Sequence, residues 1–142
     1  TFFELVEKAL AEGPVEKGPY EDGGYYAEAD EFGKTGWKDT VSLTVINGNI
    51  VSAYWNAVHE DGGDDKKTQS INGEYGMVEK GDAIAEWHEQ AELAEQYLLE
   101  TQDPTAIEWN DEGKTDAISG VTMVVSSFFE LAQKALEEGK LQ

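Results

Sequence analysis

The residues with most to say about chemistry are those of the heptapeptide Asp116-Ala117-Ile118-Ser119-Gly120-Val121-Thr122, which runs toward an amphipathic pattern. A small, flexible turn there delivers a threonine hydroxyl, an oxygen that can be ester-linked to a phosphate. At a helix N-terminus, unpaired backbone N–H groups and the positive end of the helix dipole favour a phosphate beside such a hydroxyl. Ser and Thr are also ordinary helix caps, and spacing alone does not separate the two readings.

The segment resembles the flavinylation motif of the FMN-binding domain family, written Asp-x-x-Ser/Thr-Gly-Ala-Thr in its usual form. Members include the C subunit of the sodium-pumping NADH:quinone reductase and the G subunit of the Rnf complex. Extracellular lipoproteins of Gram-positive electron-transfer systems belong to it too. In these proteins a flavin transferase joins the FMN phosphate to the last threonine of the motif. The resemblance implies that Thr122 is the acceptor, Asp116 the leading acid, and Ser119 and Gly120 the turn. The departure is Val121, where the family usually has alanine. The resemblance covers residues 20 to 138. It implies a covalently bound FMN, a transferase for maturation, a membrane donor such as a quinone-linked dehydrogenase, and extracellular acceptors. A lipid-anchored, cell-surface parent is implied in the same way.

A second group of candidates lies between His59 and Met77. Members similar to this chain carry a Lys-Thr and Gly-Met loop ahead of a long helix. Lys66, Lys67 and Thr68 are therefore expected near a phosphate or the polar edge of the ring, with Gly76 and Met77 near its face. Tyr54, Trp55, Tyr75, Trp87 and Trp109 are candidate ring contacts, and each is equally a candidate core residue. Asp61, Asp64 and Asp65 are hard oxygen ligands suited to Ca²⁺, but their spacing is not that of an EF-hand loop. A solvated acidic turn is the favoured reading. His88 reads as a surface or hydrogen-bonded histidine, since two histidines and no cysteine are a poor set for zinc.

The elements that must position these residues are legible from periodicity. Gly24–Ala29 is a short candidate strand after Asp22-Gly23-Gly24. From Trp37, alternation of Val41, Leu43 and Val45 with Ser42 and Thr44 predicts a half-buried strand. Asn47-Gly48 then predicts a tight hairpin into Ile50–Trp55. A long irregular loop is expected next, and a helix from about Gly81 to Thr101. Asp82 is its expected cap, and Ile84, Trp87, Ala91, Ala94 and Leu98 its apolar face. Asp103-Pro104 stops it. Ala106–Trp109 is expected to add a strand. The final helix presents Val125, Phe128, Leu131, Ala132, Ala135 and Leu136, and Gly139 ends it. The expected architecture is α+β: an antiparallel β-sheet with a hairpin, packed against the long helix and the C-terminal helix.

Composition bounds the function classes. Across 142 residues, 30 acids oppose 10 bases, for a net charge of −20. No basic stripe exists to neutralise nucleic acid, and anionic headgroups would repel the chain. No apolar run reaches membrane-spanning length, so no direct membrane insertion is expected. The absence of cysteine excludes disulfides and fits an exported protein, as it equally fits many cytosolic ones. Neither a nucleophile elbow, a Walker loop nor a Rossmann fingerprint is present. The expected role is an electron carrier and a transferase substrate; the rival is a non-redox binding or structural module of an exported protein.

Residues 2–13 repeat residues 128–139, differing only at Val6/Ala132, Glu7/Gln133 and Ala11/Glu137. The expectation is that residues 1–13 form a helix closing an upstream copy, residues 14–19 a linker, and residues 20–142 the domain itself.

Overall fold

The computed structural model describes residues 17–78 and 83–141. The proposed upstream repeat, residues 14–16 of the linker, and the expected cap Asp82 lie outside them. Three strands, β1 (Gly23–Glu28), β2 (Trp37–Ile46) and β3 (Asn49–His59), form one antiparallel sheet in the order β1-β2-β3. Helices α1 (Lys66–Ile71), α2 (Trp87–Thr101) and α3 (Ser126–Glu138) follow. The fold is the α+β arrangement expected, with α2 against β3 and α3 across β1 and β2. Among the described residues no helix is long and apolar enough to cross a membrane.

The hairpin forms because Asn47 and Gly48 both take positive φ, 54° and 75°, as a two-residue turn between twisted strands requires. A second reason for glycine at 48 is contact: a Cβ there would lie 2.2 Å from the carbonyl oxygen of Gly18. Gly18 and Tyr20 donate backbone hydrogen bonds to Asn47 and Gly48 carbonyls, and Asp22 Oδ1 accepts from Gly48 N–H. The end of the expected linker is thus pinned to the hairpin. In β2, Val41, Leu43 and Val45 are buried and Ser42, Thr44 and Ile46 exposed, the predicted alternation. A register shift at Thr44/Val45 accommodates Val51 as an extra residue in β3.

Both sheet edges are closed by other parts of the chain. Gln102 donates to Ile50 O and accepts from Ile50 N–H (2.8 and 2.6 Å), as a neighbouring strand would. Glu95 accepts from Trp55 N–H. Beyond β1, Gly139 O accepts from Tyr26 N–H, and Leu141 N–H donates to Gly24 O.

The core lies between sheet and helices. Trp55 stacks on Phe128 (centroids 5.1 Å apart) and meets Trp87 edge-on (5.2 Å). Phe128 is fully buried, and burying such a ring is worth about 1.5–3 kcal/mol.

Three expectations are corrected. The loop after β3 contains helix α1, started by Asp65, whose side chain accepts from Thr68 N–H. Helix α2 begins at Trp87, where Glu89 Oε1 accepts from the N-cap Glu86 N–H. Ile84 therefore precedes the helix and is 68% exposed rather than on its apolar face. Residues 106–109 form no strand; their anchor is the buried Ile107. Gly139 ends α3 as expected, and glycine is needed there because a Cβ would lie 2.1 Å from Tyr26 O.

Candidate functional site

Thr122 is exposed, on a turn that stands clear of α3. Helix α3 starts at Ser126, four residues later, so the threonine is not at a helix N-terminus as expected. Two observations explain this. Gly113 O accepts from Val125 and Ser126 N–H, which uses up the start of α3 (2.8 and 3.1 Å). The fully buried Gln90 takes Thr122 N–H and Met123 N–H on Oε1 (2.8 and 3.1 Å) and donates Nε2 to Ala85 O. Two consecutive β-branched valines, 124 and 125, also disfavour an earlier helical turn. Neither the helix dipole nor the Thr122 amide is thus available to a phosphate at this hydroxyl.

The rest of the motif supports the turn. Gly120 has φ +86°, and a Cβ would come 3.2 Å from Leu93 Cδ1. Ile118 and Val121 are buried in the core, so the extra methyl groups of valine fill the interior and do not face an incoming enzyme. Ser119 and Asp116 are exposed. Asp116 lies beside Trp109 and Tyr97, in a different depression from the one described next.

Met123 and Val124, immediately after Thr122, form one wall of a cleft of about 270 Å³. The other walls are Trp55, Tyr75, Met77, Trp87, Lys66, Asp39 and Ser127. This is just below the usual ligand-pocket range (about 300–1,000 Å³), enough for part of a flat ring system. Gly76, with φ +62°, turns the chain so that Tyr75 and Met77 both reach the cleft. Trp55 Nε1–H is buried with no hydrogen-bond partner among the described residues. Ser127 Oγ–H donates to Asp39 Oδ2 (2.6 Å).

Two adjacent lysines differ sharply. Lys67 is buried, its Nζ 2.7 Å from Glu95 Oε2 and 3.9 Å from the Tyr54 ring centroid. Burial pushes the Glu95 carboxyl above its ordinary range, opposed by Lys67 and by Trp55 N–H. Lys67 thus serves the sheet edge rather than the phosphate or ring edge expected of it, and Thr68 contributes its N–H to the Asp65 cap. Lys66 instead places Nζ 5.1–5.3 Å from the centroids of Trp37, Tyr75 and Trp87. Burial pushes its ammonium below the usual lysine range, opposed by the Asp39 carboxylate. Among the described residues it has no ion pair.

Of the expected site residues, the structure gathers Trp55, Met77 and Trp87 in one cleft, with Gly76 behind them and Thr122 next to its wall. Tyr54 and Trp109 lie elsewhere, under Lys67 and stacked on Phe129 respectively. Sequence reasoning missed Gln90, Asp39, Met123 and Ser127. A polar residue three positions after Trp87, inside an apolar stripe, was the available signal for Gln90. His88 is hydrogen-bonded to Ser70 Oγ (2.8 Å). Asp61 and Asp64 are exposed, Asp65 is spent on its cap, and no group of three acids or histidines with metal-site geometry occurs among the described residues.

The chain was compared with known proteins against this geometry. No protein-family model and no curated protein matches it. A solution structure of a Clostridium thermocellum protein is 62% identical, covering 83% of this chain and 91% of that one, with a TM-score of 0.64. The chain belongs to the same family as that protein. A Clostridium perfringens crystal structure, 24% identical over 85% of this chain and 89% of that one, shares the fold with a TM-score of 0.64.

Proposed function

We propose that this chain is an electron-carrying domain with FMN ester-linked through its phosphate to Thr122. One observation carries the reading: an exposed threonine hydroxyl directly precedes two residues that wall an aromatic-lined cleft. A phosphate held at Thr122 leaves the ring on a short ribityl leash, and Trp55, Tyr75, Trp87, Met77 and Met123 give it apolar and aromatic surface. The Lys66 ammonium suits a ring whose edge carries carbonyl oxygens and nitrogen acceptors.

The group, when bound, supplies one- and two-electron chemistry; the protein's part is to hold it, shield one side and tune it. Gln90 fixes the turn that presents the hydroxyl. Covalent attachment suits a carrier outside the cell, where a dissociating cofactor would be lost to dilution. The proposal extends to a surface-tethered parent, a flavin transferase as maturation partner, a quinone-linked membrane donor and extracellular acceptors.

Co-expression with a flavin transferase and FMN tests it. The purified protein should be yellow, keep its colour through denaturing filtration, and gain the mass of FMN less one water. Thr122→Ala should remove that gain and leave the fold unchanged. A folded protein that stays at its unmodified mass after exposure to a transferase active on another substrate overturns the proposal.

A further inference from the structure

We infer that Lys66 sets the reduction potential of the tethered ring by holding in the cleft a positive charge that has no ion pair among the described residues. The inference rests on the reading of Thr122 given above.

These observations lead to it. In a chain of 30 acids and 10 bases, Lys38, Lys67, Lys114, Lys134 and Lys140 each pair with an Asp or Glu. Lys66 is half-buried, with three aromatic rings around Nζ and no ion pair among the described residues. Aromatic faces attract a cation through their quadrupole without cancelling its charge. The titratable groups that face it are Asp39, which accepts from Ser127 and whose charge favours the ammonium, and Tyr75.

A charge kept in this state acts on whatever enters the cleft. Dithionite, taken as reductant, is oxidised with two waters to two hydrogensulfite ions and yields two electrons and two protons. Both electrons pass to the ring, one proton follows them, and the other goes to buffer. The ring gains one net negative charge. A neighbouring ammonium stabilises that charge and so raises the potential, more effectively in a partly dry cleft than in water. Lys67 cannot do this, because Glu95 already neutralises it.

The test compares flavinylated parent, Lys66→Met and Lys66→Arg, each shown by mass to carry FMN at Thr122. Lys66→Met keeps an apolar stem between the rings and removes the charge. Its midpoint potential should fall, while Lys66→Arg should stay near the parent. Adduct on all three proteins with an unchanged potential in Lys66→Met overturns the inference and leaves the Thr122 reading standing. No adduct on the parent overturns both. A folded Lys66→Met that the transferase fails to load also counts against the inference, which needs the charge only after attachment.

Discussion

Gln90 Oε1 accepts hydrogen bonds from both Thr122 and Met123 N–H, so one side chain of α2 holds the turn that carries the candidate attachment residue. The residue is fully buried, which makes this bond pair a fixed hinge between helix and motif.

Gln90→Leu is therefore expected to cost about 1–3 kcal/mol, the usual penalty for stranding a buried polar partner. Urea unfolding should show a lower midpoint at unchanged slope. Flavinylation should slow in the same variant, read as adduct mass against time, because Thr122 loses its fixed presentation.

Lys67 and Glu95 form a pair with both side chains about nine-tenths buried. Removing either partner alone, as Lys67→Met or Glu95→Gln, should cost about 3–5 kcal/mol by leaving an uncompensated group beside the edge of β3. Replacing both with apolar residues should cost markedly less than the two single changes together. A double-mutant cycle of urea midpoints measures the difference.

Lys66 makes the opposite prediction. Its folded pKa is depressed by burial, so the unfolded chain binds that proton more tightly than the native state. Stability contributed at this site should rise with pH from the folded pKa through the unfolded value of about 10.4. Below the folded pKa, holding the ammonium in the cleft costs stability relative to the unfolded chain, so at pH 7 Lys66→Met should unfold at the same or a higher urea concentration than the parent. The gap between variant and parent should close as pH rises toward the unfolded pKa. Loss of stability in Lys66→Met at pH 7 would show that its contacts with the three rings outweigh the lost hydration.

Salt should separate surface charge from cleft charge in the flavinylated protein. The net charge of −20 disfavours adding an electron and is screened at high ionic strength, so the potential of the parent should rise with salt. The difference between parent and Lys66→Met should change much less, since Lys66 is partly enclosed. Redox titration at two salt concentrations gives both quantities.

The parts of the fold visible in the sequence are those with local causes. Alternation in β2, the Asn47-Gly48 turn and the apolar face of α3 each follow from residue period or backbone chemistry, and each is present. Errors arise where distant residues decide. Thr122 looks like a helix start until Gly113 O and Gln90 Oε1 take the relevant N–H groups. Lys66 and Lys67 are indistinguishable as letters; Glu95, 28 residues from Lys67, determines which is ion-paired. Ile107 anchors its segment by burial without any ladder hydrogen bonds, so an apolar pair there imitates a strand.

The closure of both sheet margins would govern how tandem copies pack, if the proposed upstream repeat is one. Residues 139–141 occupy backbone groups of β1, and Gln102 and Glu95 occupy those of Ile50 and Trp55 in β3. Two neighbouring copies cannot fuse their sheets through these positions, because the peptide groups needed for strand addition are already taken. Crowded units would stay as separate beads, meeting through side-chain surfaces, and each would keep its own cleft open to exchange partners.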